Sequence, residues 1–340
     1  MSETLLEVED LRTVFHTDKE TIHAVDGVSF DVEAGETVGL VGESGSGKSV
    51  TARSVLGLVD EPGVIEAGSI TFQGDELVGG NWDQHRGDIA IVFQDPMNSL
   101  NPVYTVGNQI KEALRIHQNL RGREATEKAV ELLEDVGIPD AARRVSEYPH
   151  QFSGGMRQRA VIAIALACDP ELLVCDEPTT ALDVTIQAQI LELLDELQRE
   201  EDLGVLFITH DMGVIEETAD RVNVMYAGEF VESAPVDDLF TEPRHPYTRG
   251  LLASIPGRNA DGDRLPTIEG EVPTSTSEPT SCRFAPRCDY AFGACEEVHP
   301  ERVRVGDVDT DHEVACLLYD DEFEETAPEG GVEAHGGESA

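Results

Sequence analysis

The chain has 340 residues, of which 40% are apolar, so it can bury one large domain core or two smaller ones. It carries 68 acidic against 24 basic side chains, which gives a net charge of −44 at pH 7. Because contacts with a phosphate backbone need a basic surface, this charge argues against free nucleic acid as a partner.

The large negative charge has two possible explanations. Self-repulsion ordinarily destabilises a compact state, so the chain is either an ordinary acidic protein or one adapted to a very salty cytoplasm. At 1 M salt the screening length falls to about 3 Å, which weakens that repulsion. The chain has only four lysines, with arginine at the other basic positions, and we favour salt adaptation.

The start of the chain shows no targeting pattern. Residues 1–9 are acidic and lack the basic, then apolar, order of a signal peptide. No apolar run approaches the ~20 residues that a membrane-spanning helix needs. We therefore expect a cytoplasmic chain that reaches a membrane only through a partner.

Strand and helix patterns alternate along most of the chain. Period-2 or continuous apolar runs predict strands at 30–32, 37–41, 89–93, 172–175 and 205–208. Helical periodicity predicts helices at 49–58, in an inserted helical arm at about 95–165, and at 184–200. Alternating strands and helices predict an α/β fold with a parallel sheet.

A glycine-rich loop follows the strand at 37–41 and opens a helix. Its sequence, Gly-Glu-Ser-Gly-Ser-Gly-Lys-Ser, has the spacing of a phosphate-binding P-loop in the required strand–loop–helix context. Backbone N–H groups and the helix N-terminus would hold phosphate oxygens, with Lys48 on the β and γ phosphates and Ser49 on Mg²⁺. The residues assigned to this cradle are Gly42, Glu43, Ser44, Gly45, Ser46, Gly47, Lys48, Ser49 and Val50.

Two carboxylates end the predicted strand at 172–175. Asp176 is placed to coordinate Mg²⁺, and Glu177 to polarise a water aimed at a γ-phosphate. The alternative is an acidic turn, which is common in an acidic protein. Their position after a P-loop favours the catalytic interpretation.

A serine–glycine–glycine turn begins the helix that follows the helical arm. With Phe152-Ser153-Gly154-Gly155-Met156, the chain resembles the ABC ATPase family, whose signature is such a turn. The resemblance implies that Ser153, Gly154 and Gly155 bind nucleotide held by another subunit, in a head-to-tail dimer with two ATP molecules. Met156 stands where the family usually has glutamine.

Further matches to that family follow in chain order. By resemblance, Gln94 is the glutamine that contacts Mg²⁺ or the water, Asp183 belongs to the loop crossing the dimer interface, and His210 contacts the γ-phosphate. The family also stacks an aromatic side chain on adenine, for which Phe15 is the first candidate and His23 the second. Ordinary core packing of Phe15 is the alternative.

The resemblance narrows to the ATPases of oligopeptide and dipeptide importers. It rests on the stretches 93–102, 152–159 and 176–185 and on the His245-Pro246-Tyr247-Thr248 run, and it covers almost all of residues 5–319. It implies two permease subunits, a second ATPase subunit and an extracytoplasmic solute-binding protein as partners, at the cytoplasmic face of a membrane. Nickel and some sugar importers share these motifs, and a non-transport ABC ATPase is a further alternative.

From about residue 234 the composition changes: proline, threonine and glycine become frequent, and long apolar patterns stop. We expect an ATPase domain at 1–233, an accessory domain at 234–320 and a disordered acidic tail at 321–340. The accessory domain holds four cysteines, Cys282, Cys288, Cys295 and Cys316, which could bind zinc, hold an iron–sulfur cluster or remain unligated or disulfide-linked. Resemblance to the peptide importers favours a [4Fe–4S] cluster. His312 is either a substitute ligand or a surface histidine.

Overall fold

The computed structural model describes residues 4–94, 99–180, 182–255, 268–306, 311–323 and 328. The strands in these ranges are β1 Thr4–His16, β2 Thr21–Glu33, β3 Thr37–Val41, β4 Gly63–Phe72, β5 Asp75–Glu76, β6 Ile89–Val92, β7 Leu172–Asp176, β8 Gly204–Thr209, β9 Arg221–Tyr226, β10 Glu229–Pro235, β11 Val303–Arg304 and β12 Glu313–Val314. Strands β1, β2, β4 and β5 form a four-stranded sheet in the order β2-β1-β4-β5.

The helices follow the predicted alternation. They are α1 Lys48–Val55, α2 Val106–His117, α3 Gly122–Asp135, α4 Ala141–Arg144, α5 Gly154–Leu166, α6 Val184–Glu201, α7 Met212–Thr218, α8 Val236–Thr241 and α9 Pro246–Ala253. Among the described residues, none of these helices has the length and apolar character to cross a bilayer. Together with the strands they make the mixed α/β fold that the sequence predicts.

The chain divides into two compact units, and residues 1–7, 30–37 and 69–208 form the first. In it β6, β7 and β8 pair in parallel, with Ile89 opposite Leu172 and Leu172 opposite Gly204. Helix α5 packs against α2, α3 and β6. Helix α6 buries one apolar stripe, consisting of Ile190, Leu191, Leu193, Leu194 and Leu197, as an amphipathic helix does.

The second unit consists of residues 8–29, 38–68 and 209–340. In it β3 runs parallel to β9, with Val41 opposite Val224. Strand β10 pairs antiparallel with β9 on one side and with β12 on the other, and β12 pairs antiparallel with β11. The β9–β10 turn has positive φ at both central residues, Ala227 and Gly228, as a tight hairpin turn requires.

The predicted elements differ from the structure mainly at their ends. The helix predicted at 49–58 ends at Val55, because Leu56 is its C-cap and Gly57 turns into the left-handed region with φ 63°. The strand predicted at 89–93 ends one residue earlier, at Val92. The predicted domain boundaries stay a prediction, and apart from 321–323 and 328 the predicted disordered tail lies outside the described residues.

Candidate functional site

The P-loop lies in the second unit, between β3 and α1. Gly47 is the N-cap of α1 with φ 113°, and a Cβ added there would lie 2.4 Å from the carbonyl oxygen of Ala24. Gly228, in the β9–β10 turn, donates its N–H to the Ser46 carbonyl oxygen at 2.8 Å. The conformation and the lack of room therefore require glycine at position 47.

Two polar side chains of this loop, Ser46 and Lys48, are buried. Lys48 is 5% exposed, and its Nζ donates to the carbonyl oxygens of Gly42 at 2.8 Å and Glu43 at 3.0 Å. The Ser46 hydroxyl is completely buried and has no hydrogen-bond partner among the described residues. Buried polar atoms are normally paired, so this hydroxyl and the buried lysine fit a phosphate ligand.

The carboxylate pair lies in the first unit, at the carboxyl end of β7. Asp176 is the last residue of that strand and is 6% exposed. Glu177 follows with φ 49°, a left-handed conformation that costs a residue other than glycine roughly 1–2 kcal/mol. Gln94 Nε2 donates to Glu177 Oε2 at 2.7 Å, and Thr180 Oγ1 donates to the same oxygen at 2.9 Å. The Glu177 carboxylate is thus held by residues from two loops, the one after β6 and the one after β7.

The serine–glycine–glycine turn opens helix α5 in the same unit. Ser153 is its N-cap and accepts a hydrogen bond from the Met156 N–H at 3.3 Å. A Cβ added at Gly155 would lie 2.6 Å from Ile186 Cγ2, so packing against α6 requires glycine there. At Gly154 a Cβ would meet none of the described atoms within 4 Å. Packing within the first unit therefore does not explain Gly154.

Asp183 caps a helix, and its predicted role at a dimer interface stays a prediction. Its Oδ1 accepts a hydrogen bond from the Ile186 N–H at 3.0 Å and so caps α6. The next residue, Val184, is 84% exposed. The preceding Ala181 lies outside the described residues.

The remaining predicted nucleotide residues lie in the second unit. His210 directly follows β8 and is exposed. Phe15 is half-buried on β1, where a Cβ added at Gly63 would lie 2.7 Å from its Cε1. The backbone N–H of His23 donates to the Ser275 carbonyl oxygen at 2.8 Å. Since Lys48 and Glu177 belong to different units, their joint role in one site stays a prediction.

The four late cysteines lie within electrostatic range of one another. Burial, and to a smaller extent charge on the other three thiols, raises the pKa of Cys316 to about 12. Burial likewise raises the pKa of Cys288 to about 11. The Cys282 N–H donates to the Cys295 carbonyl oxygen at 3.0 Å. All four are free thiols.

These thiols do not by themselves form a ready-made metal site. Within the described ranges, no group of three or more His, Cys, Asp or Glu side chains has a metal-holding arrangement. The expectation of a surface histidine at 312 is wrong: His312 is 4% exposed, and its Nε2 lies 2.8 Å from Oε1 of the fully buried Glu232. Its position against Glu232 makes a substitute-ligand role unnecessary.

Sequence reasoning missed one residue that contacts the P-loop. The guanidinium of Arg287 binds the Glu43 carboxylate, with nitrogen–oxygen distances of 2.7 and 3.1 Å. Tyr247, noted only as part of a motif, accepts a hydrogen bond from the Glu43 N–H at 2.8 Å. The two partners of each contact are more than 200 residues apart along the chain, so no local pattern could have indicated them.

Comparison with protein families gives two matches. Residues 25–180 match the ABC transporter family, and residues 231–295 match the C-terminal region of oligopeptide/dipeptide transporters. The first match contains the P-loop and the carboxylate pair. The second contains Tyr247, Arg287 and three of the four late cysteines.

Two curated relatives are similar over most of the chain. A Brucella abortus (strain 2308) protein whose name describes ATP binding in peptide import is 55% identical over 300 residues, covering 87% of this chain and 90% of that one. The oligopeptide transport ATP-binding protein AppD of Bacillus subtilis (strain 168) is 52% identical over 324 residues, covering 94% and 98%.

Two solved structures illustrate the similarity of fold. CbiO1 of Clostridium perfringens, part of the ABC transporter complex cbiONQ, has a TM-score of 0.62 at 27% identity and covers 71% of this chain and 92% of that one. The dimeric post-hydrolysis cassette MJ0796, bound to ADP and Pi, has a TM-score of 0.61 at 26% identity and covers 68% and 98%.

Proposed function

This chain belongs to the ABC transporter family of ATPases, and we propose that it hydrolyses ATP to drive the import of di- or oligopeptides through a membrane permease. The observation that carries the proposal is the P-loop. Its Lys48 and its Ser46 hydroxyl are buried, the hydroxyl has no partner within the described part of the chain, and the loop conformation requires glycine at position 47. The same chain carries the C-terminal region of peptide transporters.

The residues present suit phosphoryl transfer to water. We assign to Lys48 the stabilisation of negative charge on the γ-phosphate. We assign to Glu177 the orientation of the attacking water, and its carboxylate is held by hydrogen bonds from Gln94 and Thr180. Mg²⁺, when bound through Ser49 and Asp176, would neutralise charge on the phosphates. His210 is assigned to the γ-phosphate on family resemblance.

A second ATPase subunit would complete the nucleotide site. Gly154 is exposed and no packing within its unit requires a glycine there, which supports contact of this turn with another molecule. Ser153 and Gly155 of one protomer would then meet the nucleotide bound to the P-loop of its partner. The α5 N-terminus offers free N–H groups and a partial positive charge to that phosphate.

The membrane partners would contact the loop before α2. Val103 is 71% exposed and Tyr104 is 54% exposed, both directly before that helix. An exposed apolar pair of this kind supports docking of a permease segment. We propose that the chain lies on the cytoplasmic face of the membrane with two permease subunits, and that an extracytoplasmic solute-binding protein delivers the cargo.

The decisive experiment reconstitutes the chain with its cognate permease and binding protein in nanodiscs or vesicles. We expect ATP hydrolysis that a bound di- or oligopeptide stimulates, together with peptide uptake. Glu177→Gln should lose turnover by a factor of about 10² or more yet retain ATP in a dimer, because the general base is removed while the phosphate contacts remain. Stimulation by nickel or a sugar, but not by peptides, would reassign the cargo. Near-normal hydrolysis by Glu177→Gln would contradict the assigned role.

We also propose that the four late cysteines hold a [4Fe–4S] cluster. Four thiols within electrostatic range of one another support it. Resemblance to the peptide importers favours this cluster over a single zinc ion, which the same four thiolates could also bind. Anaerobically purified protein should be brown and contain four irons per chain. A colourless preparation without iron would rule the cluster out.

A further inference from the structure

The C-terminal region directly holds the second residue of the P-loop. Arg287 donates from both terminal nitrogens to the two carboxylate oxygens of Glu43, at 2.7 and 3.1 Å. The Arg287 side chain is only 7% exposed, and that of Glu43 is 30% exposed. A bidentate pair of a guanidinium with a carboxylate fixes orientation as well as distance.

Other contacts besides Glu43 hold the Arg287 side chain in place. Its guanidinium donates to the backbone carbonyl oxygens of Ile268, Glu269 and Gly270, at 3.3, 2.8 and 3.3 Å. It also lies over the ring of Tyr226, 5.7 Å from the centroid. The hydrogen bonds that Arg287 donates to the Glu43 carboxylate raise the pKa of Arg287, so its guanidinium stays charged.

Tyr247 holds the same residue through its backbone. The Tyr247 hydroxyl oxygen accepts the Glu43 N–H at 2.8 Å. The Tyr247 ring is fully buried, 4.8 Å from the Tyr226 ring and 5.4 Å from the Phe284 ring between centroids. The buried aromatic cluster therefore leaves the hydroxyl little freedom to move.

Glu43 links these contacts to the phosphate-binding lysine. Its carbonyl oxygen accepts Lys48 Nζ at 3.0 Å, while its N–H and its carboxylate are held by Tyr247 and Arg287. All polar groups of Glu43 are thus engaged, two by the C-terminal region and one by the lysine. A shift of Glu43 would move the start of the loop from which Lys48 reaches the phosphates.

We propose that Arg287 and Tyr247 are positioning residues that preorganise the P-loop for ATP, so that the C-terminal region sets nucleotide affinity. This inference rests on the proposed ATPase function. Preorganisation raises affinity because the loop loses less freedom when the ligand binds. It predicts an effect on the dissociation constant and KM for ATP, with little effect on kcat at saturation.

The test measures binding of a fluorescent ATP analogue and steady-state hydrolysis by the full-length chain. Arg287→Ala should weaken binding and raise KM about tenfold, as expected for losing a buried charged hydrogen-bond pair. Arg287→Lys should recover part of the affinity, because it keeps the charge but not the fork. Tyr247→Phe should weaken binding severalfold, since it leaves the Glu43 N–H without its acceptor.

The matched control is Arg283→Ala. Arg283 belongs to the same segment and its side chain is 9% exposed, but it pairs with Asp26 and the Ala227 carbonyl oxygen instead of the P-loop. Its removal should leave the ATP dissociation constant within about twofold. Iron content and melting temperature are measured for every variant, so that loss of a cluster or of the fold is seen directly.

A second variant covers the case in which Arg287→Ala does not fold. Glu43→Gln removes the charge from the P-loop side and leaves the C-terminal region intact, and it should weaken ATP binding severalfold. When Glu43→Gln is combined with Arg287→Lys, the two losses of ATP affinity should not add, because both changes weaken the same Arg287–Glu43 interaction. Unchanged ATP affinity in Arg287→Ala or Glu43→Gln, or equal losses in Arg287→Ala and Arg283→Ala, would overturn the inference. Failure of the wild type to bind ATP would instead refute the proposed function.

Discussion

Gln94 donates a hydrogen bond from Nε2 to Oε2 of Glu177 over 2.7 Å, which joins the loop after β6 to the loop after β7. Thr180 Oγ1 donates to the same carboxylate oxygen at 2.9 Å. Parallel strands end at the same edge of a sheet, so this contact follows from the pairing of Val92 with Cys175. It gives Gln94 a role that needs no metal: it orients the carboxylate.

The first prediction separates orientation from binding. Gln94→Ala and Thr180→Val should each lower kcat about tenfold, because the carboxylate loses a hydrogen-bond donor and turns more freely. The dissociation constant for ATP should change less than twofold. Gln94→Glu should be worse than Gln94→Ala, since it places a like charge against Glu177. Equal kcat in Gln94→Ala and wild type would contradict the orienting role.

The second prediction concerns the backbone of Glu177. Its φ of 49° is unfavourable for any side chain with a Cβ except where the surroundings impose it. Glu177→Gly should therefore be about 1 kcal/mol more stable than Glu177→Ala in urea unfolding. At Asp176, in strand β7, the order should reverse, because glycine weakens an ordinary strand. The same order at both positions would show that no strain is stored at Glu177.

The local parts of this fold follow from the sequence. Apolar runs indicate β3, β7 and β8 closely, and the glycine–lysine spacing places the loop between β3 and α1, because each signal lies within about ten residues. Helix ends are less accurate, since Gly57 ends α1 three residues before the apolar pattern suggests.

Long-range partners are what the sequence does not reveal. The sequence suggests that His312 is either a surface residue or a ligand beside Cys316. In the structure it is buried against Glu232, 80 residues earlier in the chain. Arg287 and Glu43 are 244 residues apart. Such pairings depend on how strands β9, β10 and β12 assemble, and no local pattern encodes them. The assigned roles of the nucleotide-site residues stay predictions.

The third prediction uses two adjacent glycines as a matched pair. Gly155→Ala should lower the free energy of unfolding by about 1–3 kcal/mol, because its Cβ would lie 2.6 Å from Ile186 Cγ2. Gly154→Asp should leave the melting temperature nearly unchanged, since a Cβ there meets none of the described atoms within 4 Å. It should nevertheless abolish ATP-dependent dimerisation, measured by light scattering in a Glu177→Gln background, because a carboxylate would repel the phosphate. Normal dimerisation of Gly154→Asp would argue against the partner-site role.

The fourth prediction follows from the net charge of −44. Between 0.1 M and 2 M KCl the screening length falls from about 10 Å to below about 3 Å, which removes most of the repulsion between surface carboxylates. The melting temperature should rise by at least about 5 °C, which corresponds to roughly 3.5 kcal/mol for a protein of 340 residues. An equal osmolality of sucrose, which does not screen charge, is the control. A melting temperature that is independent of KCl would reject salt adaptation.

The fifth prediction concerns pH and the buried His245, which is 1% exposed. Its Nδ1 accepts a hydrogen bond from the Tyr247 N–H at 3.0 Å and so caps α9. Burial lowers the pKa of His245 to about 4, with Arg249 acting in the same direction and Glu232 opposing it. The folded protein therefore favours the neutral ring, in which Nδ1 can accept.

Since the unfolded chain binds this proton near pH 6.5 and the folded chain only near 4, the unfolded state gains protons first as the pH falls. The stability contributed by the neutral ring is present above about pH 6.5 and is lost as the pH falls from there towards 4, by about 3 kcal/mol in total. His245→Asn keeps a capping oxygen but cannot titrate, so its unfolding free energy should fall less over this interval. Urea unfolding of both proteins at steps from pH 7.5 to 4 isolates the difference, because the acidic side chains are common to both. Parallel curves for the two proteins would show that His245 is protonated in the fold as readily as in the unfolded chain.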